Sequence, residues 1–308
     1  MKRVFVSACL GTLIVAAAMT GCTAVSTADG TADRPQSRKT GAKTPARELT
    51  DAEQVRVERA EEHLVKKCME REGFTYWVGR VPSVPERRSY GYVLDDVRWA
   101  EKYGYGTRLQ QQAERARLND RNIAYDNALP RAERLRYSKA LDGRPSNDIL
   151  SAELPGGGAI ETPRRGCRAD AKDRLYGDFP AWFRVEKTAT NLTPLYVPEL
   201  VRDKRFLGAV GAWSTCMREE GHDYADPSEL REELPALVRG LSREKAHTTE
   251  VKLAVVEATC STETSLGDTA RALEDEYRDK KLKRYSDDIA TYRRMGLAAL
   301  ARAEHITG

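Results

Sequence analysis

The chain has 308 residues, with 51 Lys and Arg against 47 Asp and Glu and a formal net charge of +4. A balance this even excludes the concentrated basic surface of a nucleic-acid binder. The 32% charged content, with both signs interspersed, describes solvated helical faces around one or two domains.

The N-terminus reads MKRVFVSACLGTLIVAAAMTGC. Lys2 and Arg3 form a basic n-region, an apolar h-region follows, and Met19-Thr20-Gly21-Cys22 fits a bacterial lipobox. Residues 1–21 are therefore expected to be a lipoprotein signal peptide, with lipid attached to the Cys22 thiol. Two acyl chains hold a protein durably to a bilayer where one chain does not. The expected location is the extracytoplasmic face of the cell membrane, with the membrane itself as partner through the anchor. Residues 22–49 are rich in Ser, Thr, Gly, Lys and Arg and contain no aromatic residue, so they read as a flexible tether.

From residue 50 a folded domain is expected to run to residue 308. Thr50-Asp51-Ala52-Glu53 carries the capping-box signature, and Val57, Ala60, Leu64 and Cys68 continue it as an amphipathic stripe ending at Gly73. Residues 77–166 contain Val81-Pro82-Ser83-Val84-Pro85, Tyr103-Gly104-Tyr105-Gly106 and Pro155-Gly156-Gly157-Gly158, and read as a long loop-rich insertion. Short helices are predicted within it over 95–103 and 130–141, the second followed by Gly143. Helical spacing returns with Cys167, Ala171 and Leu175, then Trp182, Val185, Ala189 and Leu192, then Phe206, Val210, Trp213 and Met217. A last long stripe runs through Ala270, Leu273, Tyr277, Tyr285, Ile289, Tyr292, Met295 and Ala299. No alternating strand pattern stands out, so the fold class is mostly α.

Two segments align without a gap. CMEREGFTY begins at Cys68 and CMREEGHDY at Cys216, sharing Cys, Met, Glu, Gly and Tyr. Each reads as a helix end with an inward cysteine, a glycine that turns the chain and a tyrosine that folds back. The structural residues of this pseudo-repeat are Met69, Gly73 and Tyr76 in the first copy and Trp213, Met217, Gly221 and Tyr224 in the second. The half-motifs are expected near 50–176 and 200–305. In an oxidising compartment the four cysteines beyond Cys22 imply two disulfides. Cys68–Cys167 with Cys216–Cys260 gives one bridge per half; Cys68–Cys216 with Cys167–Cys260 stays open as the alternative. No CxxC or HxxxH spacing accompanies them, so no metal site is expected.

These motifs, with WSTCMREEGHDYADP in the second copy, YGYVLDDVRWAEKYGYG between the copies and GCRADAKDRLYGD after it, resemble a family of actinobacterial, Streptomyces-type lipoproteins. The resemblance spans 59–305. It implies an envelope location and a helical, disulfide-bonded body, and it brings no activity with it.

No catalytic constellation is legible. His63, His222, His247 and His305 are scattered, and His222 occupies the slot of Phe74 in the other motif, which suits packing. Asp95 and Asp96 suit helix capping better than paired catalysis. PGGGAIETP lacks a following GK[ST], and no GxSxG occurs. Tyr90, Tyr92, Tyr103 and Tyr105, set among glycines, are the candidate binding residues, because tyrosine joins apolar area to a polar tip. The expected function is therefore a non-catalytic, cofactor-free interaction or binding module of the envelope, facing another envelope protein or a cell-wall glycan. A transporter's solute-binding lipoprotein would need strand–helix alternation, and a cell-wall hydrolase would need an acidic pair in one cleft.

Overall fold

The computed structural model describes residues 46–88, 91–143 and 148–307. The signal peptide, Cys22, the tether up to residue 45 and Tyr90 lie outside the described residues. The fold is mostly α, as the periodicity predicts. Among the described residues the helices are α1 (Asp51–Arg71), α2 (Val84–Arg87), α3 (Val97–Tyr103), α4 (Thr107–Leu118), α5 (Arg121–Ala128), α6 (Arg131–Asp142), α7 (Cys167–Tyr176), α8 (Phe179–Ala189), α9 (Val197–Leu200), α10 (Lys204–Glu219), α11 (Pro227–Leu237), α12 (Arg243–Glu263), α13 (Leu266–Lys281) and α14 (Ser286–Thr307). One antiparallel hairpin, β1 (Ile149–Glu153) and β2 (Ala159–Pro163), sets Ala152 opposite Ile160.

Local chemistry accounts for the helix ends. The Thr50 hydroxyl accepts from the Glu53 amide at 3.3 Å, and the Glu53 carboxylate accepts from the Thr50 amide at 2.8 Å, closing the capping box. The two cysteine motifs end their helices in the same way. In the first, the Phe74 amide donates to Met69 O at 3.0 Å and the Gly73 amide to Glu70 O at 3.1 Å. In the second, His222 donates to Met217 O at 2.8 Å and Gly221 to Arg218 O at 3.0 Å. Both are Schellman turns, with φ of +85° at Gly73 and +84° at Gly221, where a Cβ is strained. Met69, Met217, Trp213, Tyr76 and Tyr224 are all buried. His222 lies nearly parallel to Tyr224 at 6.4 Å, a packing position.

The cysteines pair as Cys68–Cys167 and Cys216–Cys260, with Cα separations of 5.5 and 5.7 Å. The first bridge joins the last turn of α1 to the first residue of α7. The second joins the last turn of α10 to the last turn of α12. The repeat is thus confined to the CMxxxGxxY segments, since their partners occupy opposite helix ends.

Three cores form. The largest gathers Val93, Leu94, Trp99 and Tyr105 with Trp213, Met217, Leu230, Leu253, Leu266 and Leu273. The second holds Val57, Leu64, Met69, Tyr76, Tyr137, Leu141 and Leu175 together with Ala299 and Ala303 of α14. The third packs Ala152 of the hairpin on Phe179, Trp182 and Phe183 of α8. Trp182 lies between Tyr176 at 3.7 Å and Tyr292 at 5.1 Å, stacking α7, α8 and α14 through one indole. The cores cross the sequence halves: 93–105 joins the later half, and the end of α14 joins the earlier one.

Three expectations need correction. The 77–166 insertion is largely ordered into α2–α6 and the hairpin, its turn closed by Leu154 and Gly158. α4 was illegible because it buries no side chain and so carries no apolar stripe. The long C-terminal stripe is two helices, broken by a 3₁₀ turn at Lys283–Tyr285. The packed body begins before residue 50, because Leu49 packs on the second core and Glu48 pairs with Arg293 of α14 at 2.7 Å.

Candidate functional site

The segment from Gly91 to Asp96 crosses in front of α10 and α13 and forms one wall of a groove of about 520 Å³. Its floor is apolar: Leu94, Val197, Leu200, Phe206 and Ala270. Tyr92 leans on Phe206 with ring centroids 5.3 Å apart. Burial, and then the Asp226 carboxylate to which its hydroxyl donates, push the Tyr92 phenol up to about 12. On the opposite wall the Tyr196 hydroxyl donates to Glu274 at 2.6 Å.

The rim is charged and paired. Asp96 caps α3 by accepting from the Trp99 amide at 2.8 Å, and Arg88 reaches it at 2.6 Å. The Trp99 amide is the main cause holding the Asp96 carboxyl below its usual range. Asp95 does not cap; it pairs with Arg271, which also holds Asp268 at 2.7 Å. Gly267 makes room for this, since a Cβ there would collide with the Asp95 carboxylate. The Asp95–Asp96 pair is thus divided between two arginines.

What fixes the wall is buried beneath it. Glu257 of α12 is 0% exposed, and Arg231 of α11 donates to it at 2.7 Å. Arg231 also donates to the Gly91 carbonyl at 3.0 Å. One helical stretch earlier, Glu250 accepts from the amides of Tyr105 at 2.7 Å and Thr107 at 3.1 Å. Two carboxylates of one helix therefore hold both ends of the 91–107 segment. Burial raises the Glu257 carboxyl above its ordinary value, outweighing the opposing pull of Arg231.

The predicted tyrosines do not share one groove. Tyr92 lines it. Tyr105 is 5% exposed and belongs to the core, while Tyr103 lies against Trp99 at 4.4 Å. Burial separates the members of this Tyr- and Gly-rich segment. Glu250, Glu257 and Arg231 were missed because charges read as a solvated face; their signal was two Glu residues seven apart on the Leu253–Ala254–Ala258 stripe of α12.

Among the described residues, no three His, Cys, Asp or Glu side chains gather as a metal site, and no helix is long and apolar enough to cross a membrane. Compared with protein-family models, curated proteins and solved structures, the chain shows no match. Its function is argued from its own residues.

Proposed function

We propose that this chain is a lipid-anchored envelope protein of the extracytoplasmic face, tied to the membrane at Cys22, whose helical body is a non-catalytic binding module. The lipobox Met19-Thr20-Gly21-Cys22 supports the address. The observation that carries the binding role is the groove beside Tyr92. It combines an apolar floor with a rim of paired charges, and its wall is pinned from behind by buried carboxylates, so the surface is pre-formed for a partner. An envelope protein that inserts an apolar side chain between Phe206 and Leu200 and sets a charge against Arg271 or Asp95 fits this pattern.

The address is tested by feeding cells an alkyne fatty acid. The wild-type chain takes the label and fractionates with membranes, and Cys22→Ala does neither; retention of label in the variant defeats the anchor. The groove is tested with a photoactivatable residue at position 92 in intact cells, against the same residue at the exposed Leu118. A discrete adduct at 92 that disappears with Arg271→Glu supports the site. Equal adducts at both positions defeat it.

A further inference from the structure

A second cavity, of about 690 Å³, opens between α1, α4, α5 and α6. Its inner wall is aromatic: Tyr76 and Tyr137 are 4% and 3% exposed. The Tyr137 ring is fixed by edge contacts with Phe74 at 5.3 Å and Tyr125 at 5.8 Å.

Most polar groups of this cavity already have partners. Glu62 accepts from the Tyr76 hydroxyl at 3.3 Å and the Gly79 amide at 2.9 Å. Asn122 makes two bonds to the Trp77 backbone, each of 2.9 Å, and Asp120 caps α5 through the Asn122 amide at 2.7 Å. Arg168 holds Asp142 at 3.0 Å, Arg117 holds Glu114 at 2.8 Å, and Arg80 pairs with Glu86. Two atoms are left over. The Tyr137 hydroxyl and Asp126 Oδ1 are buried and have no hydrogen-bond partner among the described residues. Tyr137 and Asp126 both line the cavity, together with Asp120 and Arg168.

Buried polar atoms are almost always paired, and an orphan donor and an orphan acceptor on residues lining one cavity mark where a ligand's polar groups belong. The ligand must accept from Tyr137 and donate to Asp126. Neighbouring hydroxyl groups do both, and the C–H face of a sugar ring suits an aromatic wall. The arginines are already neutralised, so an anion gains little here.

We propose that the cavity lined by Tyr76, Tyr137 and Asp126 binds a neutral polyhydroxylated ligand of mono- to disaccharide size, with Tyr137 donating to one hydroxyl and Asp126 accepting from its neighbour. Calorimetric titration of the full chain with glucose, galactose, arabinose, N-acetylglucosamine and their β-linked disaccharides tests this. Saturable binding to at least one sugar is expected, weakened about tenfold or more by Tyr137→Phe and by Asp126→Asn. The thermal midpoint of sugar-free Tyr137→Phe should equal or exceed that of the parent, because no internal bond is lost. No binding by any of these sugars at about 10 mM overturns the proposal. Equal affinity in parent and variants overturns it too, as does binding of spermidine in place of every sugar.

Discussion

A single carboxylate carries much of the larger core's specificity. Glu257 is fully buried, yet it orients Arg231, which in turn holds the Gly91 carbonyl and hence the groove wall. Removing one partner of such a pair is costly, because the other charge stays behind unpaired. Glu257→Ala should destabilise the protein by about 3 kcal/mol in urea unfolding, whereas Glu257→Gln, which keeps the shape, should cost about 1 kcal/mol or less. Burial raises the folded-state pKa of Glu257, so the proton is held more tightly folded than unfolded. Stability from this site is full below the ordinary Glu range and fades as pH climbs through the raised value. Unfolding midpoints measured along that rise should fall in the parent more than in Glu257→Gln. Only its place on the apolar stripe of α12 marks this residue in the sequence. Its neighbours on the stripe are apolar, but its arginine lies on another helix, so the pairing is a product of tertiary packing.

Helix boundaries are where the sequence was most legible, because a cap is made by residues a few positions apart. Thr50 and Glu53, and the glycines of the two CMxxxGxxY motifs, specify their geometry without distant help. Gly73→Ala and Gly221→Ala should each cost about 1–2 kcal/mol by urea unfolding, and by similar amounts, because both sit in the same left-handed turn. Elements without a buried face stayed hidden: α4 offers no stripe, and the hairpin buries only Ala152. Exposed ion pairs at element ends set the acid limit. The Arg47 guanidinium brings the Glu53 carboxyl down to about 2, and Arg205 does the same for Glu276. Both groups are held below their unfolded values, so their contribution is present above pH 4.5 and lost as pH falls toward about 2. Far-UV dichroism with urea titration across that interval should show the midpoint falling steadily, and less steeply in Arg205→Ala.

At the scale of the molecule, the bridges take the one-per-half pairing, the more economical of the two left open by the repeated motif, while the cores disregard the halves. The first core residues of the larger cluster come from 93–105, and the second cluster is completed only by Ala299 and Ala303 of α14. Such crossing depends on contacts hundreds of positions apart, and periodicity carries no record of them. Fragments cut near residue 190 should therefore lack cooperative unfolding when made separately, which calorimetry would show directly. Closing loops of 99 and 44 residues restricts the unfolded chain by about 4–5 kcal/mol for each bridge. Replacing Cys68 and Cys167 together by Ser should lower the denaturation temperature slightly more than replacing Cys216 and Cys260, the larger loop being the first. Equal or reversed losses would point to native strain or residual unfolded structure in place of chain entropy.

The Cys68–Cys167 bond also has a mechanical meaning. A pull at the N-terminal end of the body first lifts Glu48 and Leu49 from α14 and then peels α1 as far as Cys68. From there tension passes through the sulfur atoms straight into α7 and bypasses everything between. The chain from Met69 to Gly166, which includes the groove wall and Tyr137, lies off this load path. The groove wall, held from α11 and α12, would keep its place while α1 gives way, whereas the Tyr137 cavity would lose Glu62 with that helix.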